Sequence, residues 1–136
     1  MAVALQLIER SNASGSKVHG QFGTEPAWPA KSGMVQFNKI SIPQTDSLFL
    51  ALRYSKFSPP SVPILITVDD EPTPRASFVP VDQGDWNRFT WTGPIALGSV
   101  DSGYHSIRFS TEGQEYEVAD LDRFVLVGSA EGLSTQ

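Results

Sequence analysis

Near the C-terminus, the stretch EVADLDRFVL sets two carboxylates, Asp120 and Asp122, two residues apart at the mouth of an apolar run. In an extended strand, residues i and i+2 share a face. Asp122 is therefore expected beside Phe124 and Leu126, on the face that heads for a core. A carboxylate placed there needs a compensating partner, because burying an unpaired charge is costly. An arginine such as Arg10 is one partner the chain offers. Paired carboxylates also serve glycosidases, although a chain this short, without cleft-forming insertions, is a poor host for that chemistry.

The histidines are isolated. His19 falls in an aperiodic stretch and reads as a solvated loop residue; His105 lies on a strand pattern and reads as a packed or core-edge side chain. No nucleophile elbow, HExxH pair or phosphate-cradling glycine loop is present. Aromatic rings are the more promising chemistry. Trp28, Trp86 and Trp91 all stand near loops or strand ends, where a flat ring can stack on the C–H face of a pyranose while polar neighbours engage its hydroxyls. Trp86 follows a Gly-Asp turn and alternates with Arg88 and Thr90, while Phe89 and Trp91 share the opposite face, so one of these two tryptophans is expected to be structural. Trp28, flanked by Pro26 and Pro29, is open to exposure or to capping the core.

The elements that must position these residues read as strands. SLFLALRYS puts Leu48, Leu50, Leu52 and Tyr54 on one face; VPILITVDDEP aligns Ile64, Ile66 and Val68 before a turn; YHSIRFS aligns His105, Ile107 and Phe109. VALQLIE, MVQFNKI, RASFV, WNRFTW and DRFVLV complete the set. About eight short runs, punctuated by Gly, Pro, Asp and Ser and free of helical periodicity, predict an all-β, antiparallel β-sandwich. The longest stretch without a period, residues 11–32, is expected to be a loop of the kind that carries binding. Residues 1–128 are assigned to one sandwich and 129–136 (SAEGLSTQ) to a linker or frayed end.

Composition sets the bounds. At 136 residues the chain suits one domain with its own core. A net charge of −5 with no basic run argues against nucleic acid as a partner. The absence of cysteine excludes disulfides and thiolate chemistry. No apolar run is long enough to cross a membrane, and the opening MAVALQLIE turns acidic too soon for a signal peptide. The expected setting is one module of a larger, secreted protein, monomeric in itself.

The ordered set LFLALRYS, VPILITVDDEP, FVPVDQGDWNRFTW, SGYHSIRFST and VADLDRFVLVG resembles carbohydrate-binding modules of families 6 and 35 over roughly residues 46–127. Those modules read in the same order: a Leu-x-Leu-x-Tyr strand, a strand ending in Asp-Gly, a Thr-Gly-x-Trp turn, a Gly-x-(His/Asn)-x-Ile strand and a terminal Asn-(Ile/Leu)-Asp strand. The chain departs from this wording twice. VDDEP lacks the glycine of the Asp-Gly turn, and VDQGDW keeps only Gly-x-Trp.

The resemblance implies a jelly roll without catalytic activity that binds polysaccharide or oligosaccharide. It implies a structural calcium ion, held here by Glu9 and Asp122, with Ser11 standing where the family has a second acid. Such an ion takes several oxygen ligands and can unite carboxylates distant in sequence. Asp120 falls where the family carries a sugar-contacting Asn; it is expected as a glycan contact or as a solvated loop carboxylate. Trp91 or Trp86 would supply the stacking platform and Trp28 or Phe22 the facing wall. The competing expectation is a structural or protein-interaction sandwich that binds no sugar.

Overall fold

The computed structural model describes residues 6–9, 17–20, 33–57, 62–111 and 118–128, with side chains from residue 34 onward. Ten strands are described: β1 (Gln6–Glu9), β2 (Lys17–Gly20), β3 (Gly33–Ile42), β4 (Thr45–Ser55), β5 (Ile64–Val68), β6 (Ala76–Phe78), β7 (Phe89–Trp91), β8 (Ile95–Val100), β9 (Gly103–Thr111) and β10 (Asp120–Val127). They form two antiparallel sheets. One follows the order β1-β2-β10-β4-β7, with β8 sharing the β7 side of β4, and the other the order β3-β9-β5-β6. Strands adjacent in sequence thus cross repeatedly between sheets, the wiring of a jelly-roll sandwich.

The period-2 faces read from sequence are the ones buried. Leu48, Leu50, Leu52 and Tyr54 from β4 meet Ile64, Ile66 and Val68 from β5 and Ile107 and Phe109 from β9, all at most 4% exposed. Fully burying an aliphatic side chain of this size contributes about 1.5–3 kcal/mol, so these three strands form the main anchor of the sandwich. Phe124 is edge-on to both Phe37 and Phe109, at 5.2 and 5.3 Å between ring centroids. These contacts tie β10, β3 and β9 together across the layers.

Two strands depart from the sequence reading. β2 lies inside the stretch expected to be a loop, and His19 is accordingly a strand residue, opposite Leu7 on β1 and Leu121 on β10. β8 has no clean alternation because Gly98 takes a φ of 85° and its pairing with β4 slips twice. Among the described residues no helix is long and apolar enough to cross a membrane.

The sandwich has two ends. β4 runs from a hairpin end at Thr45, shared with the β3–β4, β5–β6 and β8–β9 turns, to a loop end at Ser55. There it meets Phe89 at the start of β7 and Asp120 at the start of β10.

Candidate functional site at the loop end

Asp122 is not placed by simple alternation. Leu121 pairs with Tyr54 and Arg123 with Arg53, so Asp122 is the extra residue of a β-bulge. Its side chain is fully withdrawn from solvent, and its Oδ2 lies 2.6 Å from Nη1 of Arg53. The compensating cation in the described structure therefore comes from the neighbouring strand β4. Arg53 in turn lies 4.8 Å from the centre of the Phe89 ring, and Arg123 lies 5.2 Å from that of Trp91. Guanidinium groups at this range are attracted to an aromatic face. The outer face of the first sheet thus carries two arginine–aromatic pairs, with Arg53 and Trp91 facing each other in the β4–β7 register.

Asp120 is also withdrawn. Expected as a glycan contact at the loop apex or as a solvated carboxylate, it is fully buried at the first position of β10, opposite the equally buried Ser55. Next to it in the fold, Lys56 is a fully buried lysine whose Nζ donates to the Val118 carbonyl at 3.0 Å. The Lys56 carbonyl accepts from Gln83 N at 2.8 Å. Lys56 therefore joins the β6–β7 loop to the segment that leads into β10, a role its charge in sequence gives no hint of.

The β6–β7 loop is shaped by two aspartates acting on backbone amides two residues ahead. Asp82 Oδ1 accepts from Gly84 N at 2.7 Å, and Asp85 Oδ1 accepts from Asn87 N at 2.8 Å. These Asx turns carry the chain through GDW. Trp86 is half-buried within the turn, whereas Trp91 is 37% exposed on β7. The hydroxyl of Tyr54 accepts from Val81 N at 3.0 Å and fixes the start of the loop. Val79 and Val81 are 50% and 62% exposed, and with Trp91 and Pro94 they line a shallow hollow of about 480 Å³. A second, polar hollow of about 470 Å³ lies between Arg53, Asp85, Asn87, Arg88 and Phe89. A larger one of about 670 Å³ opens between the sheets near Phe37, Ile40, Leu48 and Phe124, with none of Trp86, Trp91, Asp120 and Asp122 in its lining.

Of the residues nominated by sequence, Trp91 and Trp86 are thus brought to one edge of the loop end, while the side chains of Asp120 and Asp122 are withdrawn from solvent. Trp28, Phe22 and Ser11 lie outside the described residues, and Glu9 is described through its backbone alone. Glu9 closes β1, and β2 stands between β1 and β10 in the sheet. Among the described residues no group of three or more acidic or histidine side chains is arranged to hold a metal. Asp122 is thus a single carboxylate, already paired with Arg53, and the described residues do not by themselves furnish a calcium shell. The contributors the sequence reading did not single out are Arg53, Arg123, Val79 and Val81. The signal available for Phe89 was its shared face with Trp91.

This architecture is a two-sheet jelly roll, the fold of carbohydrate-binding modules of families 6 and 35. Solved structures bear this out. A family 35 carbohydrate-binding module from Clostridium thermocellum superposes with a TM-score of 0.71 at 19% identity, covering 95% of this chain and 92% of that one. A family 6 module from Clostridium cellulolyticum, in complex with xylose, gives 0.69 at 14% identity, covering 93% and 88%. An exo-β-1,3-galactanase from Phanerochaete chrysosporium, bound to galactose, gives 0.72 at 24% identity; the match covers 93% of this chain but only 26% of the enzyme. No protein-family model matches the sequence, and no curated protein matches it either.

Proposed function

We propose that the chain is a non-catalytic carbohydrate-binding module that holds a polysaccharide or oligosaccharide at its loop end and targets an attached enzyme to it. The observation that carries this reading is one of scale. The chain matches carbohydrate-binding modules along nearly the whole length of their solved chains, yet only about a quarter of a galactanase. A fold shared by a module and a fraction of an enzyme suits an appended binding unit. Trp91, exposed at the loop end beside the Val79–Val81 hollow, is the stacking platform; Trp86, Trp28 and Phe22 are the further aromatic contributors. Asp120 is not carried forward as a sugar contact, because its side chain is buried. The withdrawal of Asp120 and Asp122 from solvent also makes them a poor general acid–base pair.

The proposal includes action outside the cell as a monomeric part of a longer protein. It also includes a structural calcium ion held by Glu9, Ser11 and Asp122. The residues for the ion come from the resemblance, and in the described structure Arg53 already supplies a cation to Asp122.

The test is a glycan array combined with pull-down on insoluble polysaccharides. Trp91→Ala is expected to weaken binding about fivefold or more, since loss of one aromatic–sugar contact removes about 1 kcal/mol or more. Absence of binding to every glycan, or equal binding by the variant, overturns the reading. In that case the exposed Val79–Val81 surface favours a protein partner. Melting with and without a chelator tests the ion separately: an unchanged midpoint removes calcium and leaves sugar binding standing.

A further inference from the structure

The turn between β5 and β6 reads Asp69-Asp70-Glu71-Pro72, and Asp69 and Asp70 both have positive φ, 54° and 56°. Two successive left-handed residues are the geometry of a type I′ turn, where glycine, asparagine and aspartate are the usual occupants and a glycine normally takes one of the two places. A pair of aspartates there lacks the glycine that would relieve the turn, and each acid of the run has its own basic partner. Asp70 pairs with Arg108 on β9. Glu71 is gripped by both Nε and Nη2 of Arg75 at 2.8 Å, and Nη1 of Arg75 also donates to the Leu97 and Ser99 carbonyls of β8. Asp69 faces His105: its Oδ2 is 2.6 Å from Nδ1, and its Oδ1 accepts from Ser106 N at 2.9 Å. The Asp69 amide donates to the Ser106 carbonyl at 3.0 Å.

The other ring nitrogen of His105, Nε2, lies 2.6 Å from the carbonyl of Asp101 in the β8–β9 connection. A carbonyl only accepts, so Nε2 carries a hydrogen. A neutral ring would then turn the Nδ1 lone pair toward a carboxylate oxygen, and only the doubly protonated ring satisfies both neighbours. We propose that the β5–β6 turn is closed by a proton-dependent clasp, in which the imidazolium of His105 bridges the Asp69 carboxylate and the Asp101 carbonyl, and that loss of the proton loosens the attachment of the turn to β9.

The charged groups on the elements around the ring are Asp69, Asp70, Glu71 and Arg75 on the turn, Asp101 between β8 and β9, Arg108 on β9, and Lys39 in the bulge of β3 near the partner of His105, Ile40. The two arginines are committed to Asp70 and Glu71 and keep their charge throughout the working range. The imidazole is the strut that titrates near neutrality.

The direction of each shift agrees. The hydrogen bond to Asp69 and then that to the Asp101 carbonyl raise the His105 pKa against the opposing effect of burial. Burial pulls Asp69 upward, but the His105 and Ser106 hydrogen bonds outweigh it and its pKa is lowered. The His105 contribution is therefore whole below its ordinary value of about 6.5 and lost as pH rises through the raised one. The Asp69 contribution is whole above about 4 and lost as pH falls through the lowered value. The clasp is fully closed in mildly acidic solution and opens on the alkaline side.

The test uses the whole chain and needs no ligand. The imidazole of His105 is titrated by NMR, with His19→Gln used to assign the two rings, while hydrogen exchange at the Asp69 and Ser106 amides is followed from pH 5 to 9 and corrected for intrinsic rates. Titration of His105 above the ordinary value is expected, together with a fall in protection of about tenfold for each unit by which its pKa is raised. In His105→Gln that fall should disappear. Asp69→Asn keeps the acceptor for Ser106 N and suits a positive φ; it should return His105 toward about 6.5, and it carries the test if His105→Gln fails to fold. Titration of His105 at or below its ordinary value, or the same pH profile of protection in wild type and variants, overturns the clasp. Both results are independent of sugar binding, which is proposed at the opposite end of the sandwich.

Discussion

Replacing Arg53 by methionine leaves the Asp122 carboxylate inside the protein without the guanidinium that now sits 2.6 Å away. Removing one partner of a buried pair costs about 3–5 kcal/mol, mostly the penalty of the charge left behind. The Asp122 side chain is fully buried, whereas that of Arg53 is 22% exposed. Solvent screens the pair on the arginine side, which puts the expected loss near the bottom of that range, about 3 kcal/mol. The contact of Arg53 with the Phe89 ring adds up to about 1 kcal/mol. For a domain of this length such a loss lowers the melting midpoint by roughly 10 °C. Urea unfolding of wild type, Arg53→Met, Asp122→Asn and the double variant closes a cycle. The double variant should recover about 2 kcal/mol relative to the sum of the single changes, because no charge is then stranded. A loss below about 1 kcal/mol in Arg53→Met, or additivity within about 0.5 kcal/mol, refutes the pairing as the compensation for Asp122. Repeating the cycle with added calcium separates the two cations. An ion on Asp122 restores the stability of Arg53→Met, and its absence leaves the loss unchanged.

Tyr54→Phe removes the hydroxyl that accepts from Val81 N; a loss of about 1 kcal/mol in urea unfolding is expected, with faster hydrogen exchange at Val81. Ile66→Ala hollows the centre of the sandwich at a residue with no solvent exposure and should cost about 2–5 kcal/mol in the same measurement, with glycan binding of the folded protein unchanged.

Much of the fold was legible because the buried faces obey a period of two over long runs. β4 offers four core residues in strict alternation, and β5 and β9 match it. β2 and β8 escaped for opposite reasons: the first is four residues long without a pattern, and the second has its pattern broken at Gly98. Asp122 shows the limit of the rule itself. Alternation sends it toward the core beside Phe124, but a one-residue bulge between Leu121 and Arg123 sets it against Arg53. No glycine or proline marks that bulge, and its partner is 69 residues away in sequence. The candidate site was legible in kind, aromatic rings near loops, and not in exposure. Which tryptophan is open and whether Asp120 is buried depend on how the loops fold over the strand ends, and no local pattern encodes that.

The turn aspartates carry this distinction further. Asp82 and Asp85 each accept from an amide two residues ahead, a local contact readable from the sequence of the loop. Asp69 and Asp70 occupy a turn of equal length but hold it through His105 and Arg108, 36 and 38 residues away. The missing glycine in VDDEP was visible; what replaces it was not. Replacing Asp85 with alanine should therefore cost about 1 kcal/mol in urea unfolding, as loss of a local capping oxygen does. Neutralising Asp69 should instead change the slope of stability with pH. One residue type thus does two kinds of work at opposite ends of the sandwich, and only the work that depends on a distant proton makes the fold responsive to its surroundings.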